Sequence, residues 1–195
     1  MTEQPEVPVV AVPDDLRLLA DECAGEAQLY LDTVTDVASG NTPDVAISLS
    51  LLALSQVLAM GARLGAMQDF VPQERFEPDS GPEPEVDPLR NGLANVLEGL
   101  DEYADLVDPV TSTEVTTGLL SVDLSSVAAA LSHGLAHHRA GRVTEALWWW
   151  QFSYLSDWGD RAAMALRVLQ GLLAHIRLDA DDEMVSEAQF DALHP

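Results

Sequence analysis

The 195-residue chain carries 33 Asp and Glu against 9 Lys and Arg, a formal charge of −24 at pH 7, and every basic residue is arginine. A pI near 4.1 argues against nucleic acid and anionic membrane surfaces as partners, because both are held by basic patches. Apolar residues make up 47 %, enough for the core of one ordinary domain, and the single cysteine, Cys23, excludes an internal disulfide and a cysteine-based zinc cluster.

Residues 1–13 contain three prolines and no basic residue, which predicts a flexible tail and no signal or transit peptide. Asp14 is the expected N-cap of a first helix, with Leu16, Leu19, Ala20, Cys23, Ala27, Tyr30, Leu31 and Val34 at helical spacing. Gly40-Asn41 ends it, and Pro43 at N1 starts a second. The stretch from Val45 to Ala62 is apolar on nearly all sides and reads as a central helix. It approaches the roughly 18–20 residues of a bilayer span. Ser48, Ser50, Ser55 and Gln56 interrupt it and Arg63 follows, which favours a buried helix of a soluble bundle.

Residues 68–86 hold Pro72, Pro78, Pro82 and Pro84 among six carboxylates between Asp69 and Glu85. That density of proline excludes a helix or a central strand and predicts a long loop. Its acids lack the spacing of a calcium loop. A third helix is expected from Asp87-Pro88 through Leu89, Leu93, Val96, Leu97, Leu100 and Tyr103, stopping before Pro109. Val110 to Val122, rich in Thr and Ser, reads as a connector. Asp123 is the expected cap of a fourth helix through Val127, Leu131, Leu135 and His138, closed by Gly141. A fifth runs from Val143 to about Asp157, and Gly159-Asp160 restarts or kinks a sixth through Ala163, Leu166, Leu169, Leu172 and Ile176. Residues 179–195 read as an acidic tail, with room for a short helix. About six helices and no strand give the expected class: all-α, one antiparallel helical bundle over residues 14–178.

Two resemblances follow from the C-terminal half. Gly134-Leu-Ala-His-His-Arg-Ala-Gly141-Arg-Val-Thr-Glu-Ala146-Leu-Trp-Trp-Trp150 resembles one helical hairpin of tetratricopeptide type. Gly134 and Ala136 sit at its small positions, Gly141 at its turn, and Ala146 and Trp150 at packing positions of its second helix. No second copy is visible, and stacked arrays need about three, so this implies a local hairpin without a superhelix. The longer string Gly134 to Gly159, with Ala62-Arg-Leu-Gly65 and Asp69-Phe-Val-Pro-Gln-Glu-Arg-Phe-Glu-Pro78, resembles the domain of unknown function 5063 family of actinobacteria. The likeness spans roughly Ala20 to Leu178 and implies no activity, cofactor or catalytic residue.

Trp148, Trp149 and Trp150 diverge by about 100° each on a helix. Trp150 shares a stripe with Leu147, Tyr154 and Trp158, and Trp148 shares another with Phe152 and Leu155. Trp149, over Ser153 and Ser156, is expected to be the least buried of the three. His133 and His137 share a helix face at a spacing that suits two metal ligands, although the sequence lacks a His-Glu-x-x-His pattern. Arg139, Arg142 and Arg161 are expected to pair with Glu145, Asp157 or Asp160. Cys23, on the apolar stripe of the first helix, reads as packing. No Gly-x-Ser-x-Gly elbow is present, so no catalytic residue is assigned.

The expected function is a non-enzymatic cytoplasmic adaptor or scaffold that binds a protein partner and no cofactor, through His137, Arg142, Trp149 and Ser153. The alternative is a metal- or small-molecule-binding helical enzyme that uses a divalent metal on His133 and His137 with nearby carboxylates. Lysine-free acidity is read as compositional, and docking to a basic partner as the other explanation.

Overall fold

The computed structural model of the protein describes residues 12–72, 85–107 and 110–193, the last helix by its backbone alone beyond Leu178. Most of the expected tail 1–13 and loop 68–86, and the side chains of 179–195, lie outside the described residues. The elements run α1 (Asp14–Ala38), a 3-10 turn (Pro43–Val45), α2 (Ala46–Gly65), α3 (Asp87–Val96), β1 (Glu102–Leu106), β2 (Val115–Leu119), α4 (Leu120–Arg139), α5 (Val143–Ser153), a π-helical turn (Tyr154–Trp158) and α6 (Gly159–Leu193). The fold is mainly α, a helical bundle with one small hairpin at its side.

The periodicity of α1 becomes burial: Ala20, Cys23, Ala27, Tyr30, Val34 and Val37 are all within 1 % of fully buried. That stripe faces α2, α3 and α4, and the Tyr30 hydroxyl donates to the Leu124 carbonyl at 2.9 Å. Asp14 is the first helical residue and Pro13 holds the cap position with no side-chain bond. The acids Asp14 and Asp15 instead favour the helix start through its dipole. α2 packs between α1 and α6 through Ala53, Leu54, Val57, Met60 and Leu64. Residues Pro43–Gly65 are long and apolar enough to cross a membrane by composition. The helix is less central than its composition predicts, since Leu52 is 56 % exposed and Ser55, Gln56 and Ala59 also face outward.

The largest departure lies after α3. The expected helix to Tyr103 ends at Val96, and Gly99 takes φ +81°, a left-handed turn that glycine adopts without strain. Tyr103 then lies on β1, which pairs antiparallel with β2 in the register Tyr103↔Gly118. Hence the expected connector contains a strand. The Tyr103 ring lies over Gly118 so closely that a Cβ there would collide with it. α4 starts at Leu120, three residues before the expected cap. Asp101 satisfies its first turn from across the hairpin, accepting the Ser121 N–H and hydroxyl at 2.7 Å each. Asp123 is instead buried under the hairpin, where it accepts the Tyr103 hydroxyl at 2.6 Å and Arg161 at 3.4 Å.

α4 and α5 form a tight helical hairpin. Gly141, at φ +75°, makes the turn, and the Arg142 N–H donates to the His137 carbonyl at 3.0 Å. The Trp150 indole lies directly against Gly134, so the small residue lets the two helices approach. Where a restart or kink is expected at Gly159, a π-helical turn over Tyr154–Trp158 leads into α6 within one continuous helical run from α5. Tyr154 and Trp158 project from that turn onto Gly61 of α2, where an added Cβ would come within 2.6 Å of Trp158. α6 then continues through the stretch read as a tail, to Leu193.

Candidate interaction site

Three consecutive indoles meet three environments. Trp150 is fully buried and its Nε1 donates to the Leu131 carbonyl at 3.2 Å. Trp149 is half-buried: its Nε1 donates to the Ala130 carbonyl at 2.9 Å, and its ring centre lies 4.0 Å from that of His133. Trp148 stacks on Phe152, with ring centres 5.4 Å apart and planes 11° from parallel. Phe152 is 50 % exposed and Leu155 is 63 % exposed, so the stripe of half-buried Trp148, Phe152 and Leu155 presents an apolar surface to solvent.

This stripe borders a cavity of about 420 Å³ together with Asp69, Phe70, Gln151 and Ser156. Gln151 is its buried polar member. Its Nε2 donates to the carbonyls of Leu64 at 2.7 Å and Met67 at 3.4 Å, and its Oε1 accepts the Phe70 N–H at 3.1 Å. A single side chain therefore ties the last turn of α2, at Leu64, and the residues just past its end to the segment that carries Phe70. Asp69 and Ser156 stand exposed at the rim. Among the described residues Asp69 is the charged group in this lining.

The residues singled out from sequence pack mostly between α4 and α5. His137 is fully buried, its ring 5.1 Å from His133 in an edge-on arrangement, and His133 leans on Trp149. Ser153 is buried; its hydroxyl donates to the Trp149 carbonyl at 2.6 Å and accepts Trp158 Nε1 at 3.1 Å. Arg142 is half-buried at the cap of α5. His133, His137, Arg142, Trp149 and Ser153 are all absent from the lining of this cavity. Among the described residues no group of three or more His, Cys, Asp and Glu is arranged to hold a metal ion.

Several described arginines tie elements together. Arg161 meets Asp157 at 2.7 Å and Asp123 at 3.4 Å, Arg139 donates to Gln28 at 2.7 Å, and Arg63 lies 3.3 Å from Glu22 and 3.6 Å from Glu26. His138 ties α4 to α1 through Asp21 at 2.7 Å. Burial pushes the Cys23 thiol up to about 11, against the opposing pull of Arg63, so the thiol stays protonated and packs as an apolar group. Burial also raises the Asp123 carboxyl above its ordinary value, partly offset by the Tyr103 hydrogen bond and Arg161. Sequence reasoning names none of the seven lining residues as a site residue: it reads Trp148, Phe152 and Leu155 only as a helical stripe, and it does not single out Phe70 and Gln151. The available signal was weak: Phe70 is the aromatic nearest the start of the proline-rich stretch, and Gln151 is a lone amide inside an aromatic run.

Fold and site together define a small, mainly α-helical domain built around an aromatic hairpin, with an open aromatic-lined cavity beside it. The chain belongs to the family described as a domain of unknown function, DUF5063, whose model matches residues 14–175. It is also similar to a crystal structure of protein BF1032 from Bacteroides fragilis. The two share 16 % identity and a TM-score of 0.58, over 80 % of this chain and 89 % of that one. At that identity the likeness is one of fold. No curated protein matches the sequence.

Proposed function

We propose that the protein is a non-enzymatic cytoplasmic adaptor or scaffold that docks a protein partner in the cavity between Phe70 and the α5 ridge. The exposure of Phe152 and Leu155, with Phe152 stacked on the half-buried Trp148, carries this reading. Contiguous exposed apolar surface next to a concavity marks an interaction site more often than isolated surface leucines do. Aromatic side chains in a pocket are the usual anchors of binding energy. The tetratricopeptide-like character of the α4–α5 hairpin supports the same reading, because it supplies a stiff support for Trp148 and Phe152. One buried cysteine supports a reducing compartment.

The test is affinity capture with the wild type and with Phe152→Ser and Leu155→Ser. Both side chains are half or more exposed, so the variants keep the fold, as thermal melts will verify. A partner recovered by the wild type and lost from both variants is the expected result. Recovery of the same partners by all three proteins would sink the cavity as the docking site.

A further inference from the structure

We infer that the occupant of this cavity is a basic amphipathic helical segment of a partner protein, with bulky apolar side chains on one face and Lys or Arg flanking them. This inference rests on the docking reading above and adds the chemical class of the partner. Shape and charge support it independently.

Trp148, Phe152 and Leu155 follow one another at intervals of four and three residues, so they form a ridge of two helical turns, about 10 Å long. Apolar groups at i, i+3 or i+4 and i+7 are the pattern that a second helix matches when it lies in a groove. The cavity of about 420 Å³ alongside, bounded by Phe70 and Gln151, gives room for bulky side chains from such a helix.

Charge selects among the helices that could lie there. Among the described residues Asp69 is the charged member of the lining, and none of the lining side chains is basic. Around it the chain as a whole carries −24. The described Arg63, Arg90 and Arg161 each face carboxylates of this chain. A second copy would bring a second −24 surface to the same face, and self-repulsion disfavours that pairing. An acidic segment meets the same penalty. A segment with Lys or Arg beside its apolar anchors gains steering from the whole surface and a direct counter-charge at Asp69.

Three synthetic peptides of equal length test this, read by fluorescence anisotropy at physiological ionic strength. One has a Leu/Phe face flanked by Lys, the second replaces Lys with Glu, and the third keeps Lys but replaces the apolar anchors with Ser. The Lys–Leu/Phe peptide is expected to bind about tenfold more tightly than either of the others. Phe152→Ser and Leu155→Ser are expected to remove most of that margin, and Asp69→Asn to weaken the Lys peptides with no loss for the Glu peptide. Equal binding of the Glu peptide would overturn the basic class. So would binding of the Ser-anchored peptide as tight as that of the Lys–Leu/Phe peptide, since only diffuse charge would then be at work. A dimer of the protein that dissociates on Phe152→Ser would assign the ridge to a second copy and overturn the inference. If no peptide binds while a captured partner is still lost from Phe152→Ser, the basic class falls and the docking reading stands.

Discussion

The Oε1 of Gln151 accepts the backbone N–H of Phe70 at 3.1 Å, and this bond joins the Phe70 wall of the cavity to α5. The same amide donates to Leu64 at 2.7 Å, so it must both donate and accept. A carboxylate at this position would only accept, and it would face carbonyls at a helix C-terminus, where the dipole is already negative. Gln151→Glu is therefore expected to destabilise the protein by about 1–3 kcal/mol at pH 8. Protonation restores a donor, and burial raises the pKa of the introduced carboxyl in the folded state. The folded state then binds the proton more tightly, so the deficit shrinks as pH falls towards 5. Urea unfolding at pH 8 and pH 5 checks this; a deficit that is equal at both would contradict the donor role.

Gly134 and Gly25 make opposite predictions for the same substitution. A Cβ at Gly134 would run into the Trp150 indole, whereas nothing lies within 4 Å of one at Gly25. Gly134→Ala is expected to cost about 1–3 kcal/mol, since the fully buried indole has little room to yield. Gly25→Ala, inside α1, is expected to add about 0.5–1 kcal/mol from helix propensity alone. Chemical denaturation of both variants gives the two signs directly.

Cys23 is fully buried and its thiol is pushed up to about 11 by that burial. In the native protein at pH 8 it is expected to react with an aromatic disulfide reagent at least about a hundredfold more slowly than in denaturant, because both access and thiolate fraction are low. Rapid labelling under native conditions would show that α1 opens locally.

Asp123 sets a pH dependence with a defined sign. Its carboxyl is raised in the folded protein mainly by burial, with Tyr103 and Arg161 opposing, so the folded state holds the proton more tightly than the unfolded chain. Its contribution to stability therefore rises as pH falls through the folded pKa towards the ordinary carboxylate value. The wild type is expected to gain stability relative to Asp123→Asn between pH 7 and pH 4.5. Paired thermal melts measure the difference, and a relative loss over that range would reverse the assigned direction.

The helices were legible where burial follows one stripe. Ala20, Cys23, Ala27, Tyr30 and Val34 recur at helical spacing and are all buried, and Leu147, Trp150 and Trp158 behave likewise. The hairpin was not legible, because Val115, Thr116 and Thr117 are all exposed and β2 shows no inside–outside alternation. Tyr103 continued the apolar spacing of α3, and Gly99 breaks that helix by a φ that spacing does not encode. The separation of the three indoles followed from 100° per residue. The bonds that pin Trp149 to Ala130 and Gln151 to Leu64 depend on neighbours 19 and 87 residues away, and no local pattern carries them.

The most direct test of partner docking places a photoreactive phenylalanine analogue at position 152 in cells, with the same analogue at position 18 as control. Phe152 and Leu18 are 50 % and 64 % exposed, so both probes reach solvent, and only the first borders the cavity. The expected result is a discrete covalent adduct with another protein from position 152 and none from position 18. No adduct from position 152, or the same adducts from both positions, would contradict the assignment of this cavity as the docking site.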